Sequence, residues 1–482
     1  MMKNYKNSNK QIFTLLMLLF FTVSSYCQDV FVDQNATGSN DGTSWANAYT
    51  TITSALTNAA DGNIIHVAKG TYTGEASATA FTIGNTMTLM GGYPSGGGTQ
   101  DIANNETILD GQNARRVLNI TKATTLNGLT IQNGAEDAFD GAGIRFASSC
   151  TVENCIIKDN ATSKSSSGTV LGGGVYAAFN LVVYNTIFTN NSVSATNATA
   201  TDEVRGGAIY VKGTFKAYNC SFYNNTASSD AGIAKGGALY VSKQSEFYNC
   251  LITKNTATST ISSDGAGFYA SGTAGSSSKA IRVRNSILLE NTASTDGGST
   301  YTSNEYSING PSVGFFTAIN SLIDGEFLDG NGNSDNIDDS LGAFDPMFTD
   351  KVNNDYTLQS TSALINSGAD SFNNTTADLA GNTRIVETID IGPFEFQSAT
   401  ASVDDDFTNS ITVYPNPASN FIKISNNFLN ANYSIFSTLG QKLKIGKIDG
   451  TNNINISDLS AGNYILKIRF ENAIYTKKIV KQ

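Results

Sequence analysis

A short pattern of Gly and Asn recurs along the middle of the chain, and its regular spacing restricts the fold more than any other feature. Each repeat starts at a Gly, and an Asn follows 13 residues later in the first four full repeats. A second Asn follows six residues after most of the first ones. The starting glycines are Gly141, Gly172, Gly206, Gly236, Gly265 and Gly297; the first asparagines are Asn154, Asn185, Asn219, Asn249, Asn285 and Asn320, preceded by Asn127 without a starting Gly; the second asparagines are Asn133, Asn160, Asn191, Asn225, Asn255 and Asn291.

Variation in repeat length is confined to one place. Before Gly265, nearly all of it falls between the second Asn and the next Gly. This behaviour is typical of a stacked solenoid, in which each coil must match its neighbours except at one open face. Within a coil, apolar and polar residues alternate as they do in strands. The sequence therefore predicts an all-β chain whose middle is a parallel β-helix.

The first Asn of each repeat marks a corner, because the inward-facing parity shifts by one residue there. Asn tolerates the left-handed backbone conformation and can hydrogen-bond its own turn. Stacked coils would place these amides about 4.8 Å apart. Each amide can then donate to its neighbour in a ladder.

A row of tyrosines occupies the position four residues after the starting Gly. Its neighbours on both sides are apolar and predicted to face inward, so the tyrosines are predicted to face outward and to be exposed. Flat amphipathic rings on a rigid face suit sugars or protein partners. The alternative is a self-stacking ladder that stabilises the sheet or lies under the variable loops. The predicted ligand-binding residues are Tyr176, Tyr210, Tyr240, Tyr269 and Tyr301, and Arg145 precedes them in the row.

A second outward row precedes the first Asn of each repeat. It contains Tyr184, Tyr218 and Tyr248, with Glu153 and Arg284 at its ends. Because one extended ligand need not touch both faces, we expect substitutions in this row to have less effect on binding.

The start of the chain and its charge restrict the location and the partners. Residues 1–27 have the pattern of a signal peptide, with three early lysines and an apolar run that is too short for a confident membrane span. The predicted mature chain has no transmembrane segment. The net charge is −11, and removing the three signal lysines leaves −14. This charge argues against nucleic acid and anionic membranes as partners.

The single histidine limits the chemistry. Because His66 is the single histidine, the sequence excludes a His-rich metal site and argues against a Ser-His-Asp triad. His66 lies in an apolar stretch and is therefore predicted to be structural. Asp338 and Asp339 are predicted to be solvated. We predict no cofactor. A polar loop in the terminal segment departs from the calcium-loop pattern and is interpreted as a surface loop, with a weak calcium site as the alternative interpretation. That loop contains Asp329, Asn331, Asn333 and Asp335, with Ser334 and Ser340 where Gly and Glu are required.

Four cysteines follow the predicted signal peptide. Cys220 and Cys250 should stack in adjacent coils at a distance that a disulfide allows, but with parallel side chains that rarely meet its torsion. Export permits disulfides. Small buried thiols are the favoured interpretation for Cys150, Cys155, Cys220 and Cys250.

The segment "GNIIHVAKGTYTG" resembles the opening of pectate-lyase-like right-handed β-helix proteins, and the resemblance spans about residues 29–325. It implies a right-handed solenoid over residues 28–330, with an amphipathic helix near Ala48 to Ala60 in its N-terminal cap. The coil at 206–225 also resembles repeats of the chlamydial polymorphic outer-membrane adhesins. Fold alone does not imply activity.

Two resemblances concern the end of the chain. Residues 331–397, which include "NIDDSLGAFDPMFTD", resemble the choice-of-anchor Q segment and are predicted to finish and cap the solenoid. After a linker at 398–409, residues 410–482 resemble the type A C-terminal sorting domain of the type IX secretion system, a small β-sandwich. The resemblance implies handling by the secretion machinery, display on the outer cell surface and attachment to surface glycolipid. The predicted sorting motif is Tyr414, Pro415, Asn416, Pro417, Gly440, Gly462 and Tyr464.

Two functions remain open. The first is a surface-displayed binding or adhesion protein that contacts glycan through the exposed tyrosines. The second, implied by the pectate-lyase resemblance, is a lyase that cleaves an acidic polysaccharide by calcium-assisted β-elimination with a Lys or Arg base. No catalytic motif is identified. The candidate bases are Lys158, Arg205, Lys212, Lys216, Lys235 and Lys254.

Overall fold

The computed structural model divides the chain into two compact units, Met1–Ser398 and Ala399–Gln482. The predicted signal peptide and linker lie outside the described residues. The structure describes residues 28–74, 78–137, 140–271, 280–295, 300–301, 305–309, 316–325, 333–339, 344–397, 412–425, 428–438, 441–470 and 473–482.

Three parallel sheets form the walls of the first unit, and a typical coil contributes one strand to each. We name them sheets I, II and III. This arrangement confirms the predicted parallel β-helix. Sheet I contains Asp29–Val32, Ile64–Ala68, Met87–Tyr93, Thr124–Asn127, Cys150–Glu153, Leu181–Tyr184, Phe215–Tyr218, Ser245–Tyr248, Ile281–Arg284 and Phe316–Ile319. Sheet II contains Gly70–Tyr72, Thr107–Asp110, Thr130–Gln132, Ile156–Lys158, Ile187–Thr189, Ser221–Tyr223, Leu251–Thr253, Ile287–Leu289 and Leu322–Ile323. Sheet III contains Thr79–Ile83, Arg116–Ile120, Ile144–Phe146, Val175–Ala177, Ile209–Val211, Leu239–Val241, Phe268–Ser271 and Tyr306–Asn309.

Two further sheets arise from the connection of variable length between sheet II and the next strand of sheet III. We name them sheets IV and V. Sheet IV contains Ala135–Asp137, Ala161–Lys164, Ser192–Ala195, Thr226–Ser229, Thr256–Ser259, Thr292–Thr295 and the antiparallel Thr300–Tyr301. Sheet V contains Val170–Leu171, Glu203–Arg205, Ile233–Lys235 and Ser262–Asp264.

A short helix, Ile52–Asn58, covers the first coil. Thr51 caps it, since its side chain accepts a hydrogen bond from the Ser54 amide at 3.1 Å. Ile52 and Ala55 are buried in the same core cluster as the first strands. The predicted amphipathic helix is therefore present within the predicted range, and it shields the apolar end of the solenoid.

The starting glycines are required by the backbone. Gly206 has a φ of +71°, and a Cβ there would lie 2.1 Å from the carbonyl oxygen of Ile209. Gly236 has the same φ and a similarly close approach to Leu239. Any larger residue would clash with the chain that it begins to turn.

The corner asparagines have the left-handed conformation that we predicted, with φ between 45° and 59° from Asn154 to Asn320. Their amides form part of the predicted ladder: Asn185 donates to Asn154 at 3.1 Å, and Asn219 donates to Asn185 at 2.8 Å. The ladder is interrupted between Asn219 and Asn249, where a buried amide oxygen and a buried amide nitrogen have no partner.

A second ladder, which we call the inner Asn ladder, runs through the interior. It consists of Asn160, Asn191, Asn225, Asn255 and Asn291, and the first four are fully buried. Each side-chain amide donates to the amide oxygen of the next residue at 2.8–3.0 Å. The last amide donates to the carboxyl of Glu305, which is also buried.

Asn127 and Asn133, the two earliest asparagines of the pattern, lie one residue before the positions that the pattern predicts for them. Gly128, with a φ of +68°, takes the corner position, and Asn127 pairs with Glu153 in sheet I. Gly134 takes the inner ladder position, where its amide donates to Asn160 at 2.8 Å. The spacing of six residues was preserved in the sequence, so the spacing alone could not reveal the shift.

The terminal segment does more than cap the solenoid. Ser334 bridges to Ile319 beside the last strand of sheet I, which continues the stack as predicted. The rest turns back along the outer face of sheet II, and it includes the hairpin Phe348–Asp350 and Asp355–Leu358 and the 3₁₀ helix Asp370–Phe372. Its side chains bury Leu251, Ile287 and Leu322, among others.

A buried ion pair holds this segment together. Arg384 donates to Glu395 at 2.9 Å, and both side chains are almost completely buried. The guanidinium also donates to the carbonyl of Gly392 at 2.6 Å. Backbone amides of Val386 and Asp390 complete the partners of the Glu395 carboxylate, so a charge removed from water is surrounded by donors.

The second unit has its own apolar core and two antiparallel sheets in the described residues. The smaller sheet contains Val413–Tyr414, Phe421–Ile424 and Asn453–Asn455. The larger sheet, ordered from one edge to the other, contains Lys442–Lys447, Asn432–Ser437, Gly462–Phe470 and Ala473–Lys481. Its strands and turns agree with the predicted small β domain.

We predict that Phe222→Ala will destabilise the solenoid by about 3–5 kcal/mol, as for other large buried aromatics. Phe222 is fully buried and stacks on Phe188 with a centroid distance of 4.9 Å. Denaturant unfolding of the first unit measures the loss, with exposed Lys212→Ala as the control. A loss below about 1 kcal/mol would show that the inward register is wrong.

We predict that the free energy of unfolding depends on pH through Glu305. Burial raises the pKa of this carboxyl to about 8. Because the folded pKa exceeds the ordinary value, the stabilisation is complete below that ordinary value and is lost as the pH rises through about 8. Unfolding measured from pH 5 to pH 9 should show this loss, and Glu305→Gln should reduce the slope.

The control for this titration is Glu387→Gln, an exposed carboxylate that accepts a hydrogen bond from the Asn366 side chain at 3.1 Å. It should leave the slope unchanged. An identical slope in wild type and Glu305→Gln would contradict the role of Glu305.

Candidate functional site

The predicted tyrosine row exists in sheet III for four of its five members. Tyr176, Tyr210, Tyr240 and Tyr269 are direct partners in neighbouring strands. Their rings stack with centroid distances of 5.5, 5.2 and 5.1 Å. We call these four residues the sheet III row.

The predicted exposure of this row is wrong. Tyr210, Tyr240 and Tyr269 are only 7%, 5% and 5% exposed, and Tyr176 packs against them. Parity correctly placed the rings on the outside of the coil. It could not show that the variable connections would form another sheet beside them.

Cationic side chains lie over the rings. The guanidinium of Arg205 lies 4.9 Å from the centroid of Tyr240, and the ammonium of Lys235 lies 5.0 Å from that of Tyr269. Both cations belong to sheet V. Cation–π contacts of this kind are stronger when they are shielded from water.

Glu203 connects the two cations. Its carboxylate lies 2.6 Å from Arg205 and 2.9 Å from Lys235. Burial opposes ionisation, but hydrogen bonds from Lys235 and Arg205 hold the pKa of Glu203 below its ordinary value. Three charged side chains and two rings therefore form one network. The sheet III row thus agrees better with the alternative prediction, a tyrosine ladder covered by the variable loops, than with an open ligand-binding face.

Tyr301 does not continue the row. Its strand pairs antiparallel with Thr292–Thr295 in sheet IV, where Tyr301 lies opposite Ala293. The partner of Tyr269 on the far side is Ser307. The repeat predicted from Gly297 is therefore displaced, although Gly297 itself lies outside the described residues.

The second row lies on the outer face of sheet I. Tyr184, Tyr218 and Tyr248 stack with centroid distances of 4.9 and 5.2 Å. Tyr184 and Tyr248 are half-buried, and Tyr218 between them is 9% exposed. We call these residues the sheet I row. In the described chain, no hydrogen bond occupies their three hydroxyl groups.

A column of charges runs beside the sheet I row. Lys216 and Arg282 contact the carboxylate of Glu246 at 3.0 and 2.6 Å. The side chains of Lys216 and Arg282 are 43% and 39% exposed, while that of Glu246 is 9% exposed. Burial alone would raise the pKa of Glu246. The hydrogen bond and charge of Lys216, together with hydrogen bonds from Gln244 and Arg282, outweigh burial and hold the pKa of Glu246 below its ordinary value.

The same face continues toward the start of the solenoid. A shallow pocket of about 250 Å³ lies there and includes Thr88, Thr125 and Thr151 among its lining residues. These three threonines belong to the same outward column as Lys216. The far end of the face lies near Phe372, whose ring centroid is 6.3 Å from that of Tyr248.

His66 faces outward at the beginning of this face. One ring nitrogen contacts Asp29 at 2.9 Å, and the other contacts the hydroxyl of Tyr93 at 2.9 Å. Its ring also stacks on Phe31, with the centroids 5.3 Å apart. The Trp45 ring contacts the same group, which joins strand Asp29–Val32 to the next coils.

The candidate bases do not converge on one place. Arg205 and Lys235 pair with Glu203, Lys216 pairs with Glu246, and Lys254 donates to the carbonyl of Lys351. Among the described residues, no group of three or more His, Cys, Asp and Glu is placed to hold a metal ion.

The polar loop that departs from the calcium-loop pattern is only partly described, because Asp329 and Asn331 lie outside the described residues. The side chain of Asn333 accepts a hydrogen bond from the Ala318 amide at 2.7 Å. This contact joins the loop to the last coil.

The four described cysteines are buried free thiols, as predicted. Burial raises the pKa of Cys150 to about 11 and that of Cys155 to about 12. A thiol that rarely ionises is a poor nucleophile. Cys220 and Cys250 are fully buried in the main core.

The predicted sorting motif contributes to the structure of the second unit. The Asn416 side chain donates to the Lys478 carbonyl at 2.9 Å and accepts from the Val480 amide at 2.7 Å. Tyr464 donates to the Ser460 carbonyl at 2.7 Å. Gly440 lies outside the described residues.

Comparisons with known proteins agree with the division of the chain into two units, because each family model matches within one unit. A family model described as "Secretion system C-terminal sorting domain" matches residues 412–482. "Protein of unknown function (DUF1565)" matches residues 34–170, and the Chlamydia polymorphic membrane protein repeat matches residues 185–212 and 219–242. A comparison with curated proteins found no match.

Among solved structures, a crystal structure of pectate lyase Pel9A matches with 14% identity and a TM-score of 0.36. The match covers 77% of this chain and 96% of that chain.

The chain is thus a parallel β-helix protein with a C-terminal sorting domain. The sorting domain indicates type IX secretion, so the protein reaches the cell surface or the medium. In the described part of the chain, no helix is long and apolar enough to span a membrane.

We predict that Tyr240→Ala will destabilise the solenoid by about 3–5 kcal/mol, because it removes a buried aromatic ring. Its neighbours on both sides and Arg205 would lose their contacts. The matched control is Tyr184→Ala, whose ring is half-buried, and it should cost clearly less in denaturant unfolding. Equal costs would contradict the observed difference in burial.

Proposed function

We propose that this protein is a non-enzymatic surface protein that binds an extended polysaccharide along the outer face of sheet I. The observation that carries this proposal is the sheet I row, with unoccupied hydroxyls, beside exposed Lys216 and Arg282. Tyrosines recur at the same position in successive coils of this face, and such a periodic surface suits a polymer of repeating sugar units. Binding to such a polymer would make the protein an adhesin.

The stacked geometry determines which part of each ring a ligand can reach. Because the rings of Tyr184, Tyr218 and Tyr248 stack on one another, their faces are largely occupied. They present ring edges and hydroxyls, which suit hydrogen bonding to sugar oxygens more than ring-on-ring stacking. The aromatic interaction therefore differs from the flat platform expected from the sequence.

The neighbouring charges extend the same chemistry. Lys216 and Arg282 retain exposed donors while they contact Glu246. Such donors recognise hydroxyls and carboxylates, and an Arg donates in a planar, directional arrangement. Sheet II offers less of its outer face, since the terminal segment buries Leu251 and Ile287 there.

The two tyrosine rows provide a matched test. The mature full chain is tested against neutral and acidic polysaccharides, and the affinity for any ligand found is measured. Tyr184→Phe/Tyr248→Phe keeps the stacked rings and removes two hydroxyls. If each hydroxyl makes a ligand hydrogen bond, the double variant should lose about 1–3 kcal/mol of binding free energy.

The control is Tyr210→Phe/Tyr240→Phe in the sheet III row, which should bind like wild type and keep its fold. If Tyr210→Phe/Tyr240→Phe weakened binding and Tyr184→Phe/Tyr248→Phe did not, the binding site would lie at the sheet III row, as predicted from the sequence. Unsaturated uronate products formed in a calcium-dependent manner would favour the lyase alternative. Equal affinity of all variants for a bound polysaccharide would contradict both tyrosine sites.

A further inference from the structure

Charge is distributed unevenly between the matched sorting domain, residues 412–482, and the chain that precedes it. Residues 28–411 contain 18 Lys and Arg against 38 Asp and Glu. Residues 412–482 contain nine Lys and Arg against three Asp and Glu. The acidic total of the chain therefore conceals a basic C-terminal domain. An interaction judged from net charge alone would overlook it.

The basic residues concentrate on one face of the larger C-terminal sheet. In strand Gly462–Phe470, Leu466 and Ile468 are fully buried, whereas Lys467 and Arg469 on the opposite side are exposed. This alternation separates an apolar inner face from a charged outer face. We call the outer face of this sheet the basic face.

Strand pairing brings more cations to the same face. Arg469 lies opposite Asn432, which in turn lies opposite Lys447. Phe436 connects Lys442 on one side with Ile465 on the other. The exposed cations of the basic face are Lys442, Lys447, Lys467, Arg469 and Lys478.

Among the described residues, no Asp or Glu occupies an outward register position of these four strands. With neighbouring strands about 4.8 Å apart, the four strands span roughly 14 Å. The Debye length at physiological salt is about 8 Å, so neighbouring strands of this sheet lie within one Debye length of each other. The five cations therefore act together on a nearby surface.

Apolar groups accompany the cations. Lys442 and Lys467 lie 5.7 and 5.6 Å from the centroid of the Phe436 ring. Ile445 is 68% exposed on the same face. Basic side chains with aliphatic stems, mixed with exposed apolar groups, suit the boundary between lipid headgroups and acyl chains.

We propose that the basic face docks onto a membrane surface through the phosphates of anionic lipid headgroups. Polybasic clusters gain affinity for such surfaces with each added Lys or Arg. The face presents its cations on three strands of one sheet, so several of them can contact the phosphates of one headgroup layer. This assignment differs from the expectation that the negative net charge argues against anionic membranes as partners.

Co-sedimentation of the full mature chain with vesicles tests the proposal. The chain should bind vesicles of phosphatidylcholine with about 30% phosphatidylglycerol, and not vesicles of phosphatidylcholine alone. About 0.5 M salt should release it. Lys467→Glu/Arg469→Glu should reduce binding by at least about tenfold.

The matched control is Lys423→Glu/Lys481→Glu, which changes the net charge equally at positions off the basic face. Circular dichroism checks the fold of each variant. If the first variant misfolds, Lys442→Gln/Lys447→Gln on the edge strand replaces it and should also weaken binding. Three results would overturn the proposal: no vesicle binding by wild type, equal losses in the test and control variants, or binding to soluble polyglutamate without binding to vesicles.

Discussion

The rest of the solenoid depends on the inner Asn ladder. At its centre, the amide nitrogen of Asn225 donates to Asn255 at 2.9 Å and to the carbonyl of Phe188 at 3.0 Å. Its oxygen accepts from both the backbone and the side chain of Asn191 at 3.0 Å. An apolar residue of similar size would leave buried backbone groups unpaired, which is costly. Each coil is thereby fixed in register with the next.

That register determines what the outer surface can do. Because coils stack in register, residues at one position form continuous columns, and like side chains meet. Tyr176 and Tyr210 stack in sheet III, and Tyr184 and Tyr218 stack in sheet I. The stacking occupies ring faces and leaves edges and hydroxyls for a ligand. Whether a row can meet a ligand then depends on neighbouring segments, and here Arg205 of sheet V covers part of the sheet III row.

The sequence was sufficient for the coil itself. Period-two alternation identified the inward residues, such as Phe222, and the constant spacing identified Gly206 and the corner Asn219. The sequence was insufficient at Asn127, which has the expected spacing to the next Asn but lies one residue before the corner position. Parity shows which side of its own strand a residue faces. It carries no information about a distant segment that packs there, so it does not predict the burial of Tyr240.

The net charge of the chain does not reveal the basic face, for a related reason. Net charge averages over the chain, whereas a surface responds to the charges within about a Debye length. Only strand pairing brings Lys447 and Arg469 to one face of one sheet. The outer face of sheet I and the basic face thus form in the same way, because strand register brings residues that are distant in sequence to one surface.

The most direct test of the register is native-state hydrogen exchange on Asn225→Ala. If the inner Asn ladder joins each coil to its neighbours, protection should fall most in Ile187–Thr189, Ser221–Tyr223 and Leu251–Thr253, the sheet II strands of the coils around Asn225. The early strand Thr107–Asp110 should keep its protection. Unchanged protection, or a loss spread evenly along the solenoid, would contradict this account.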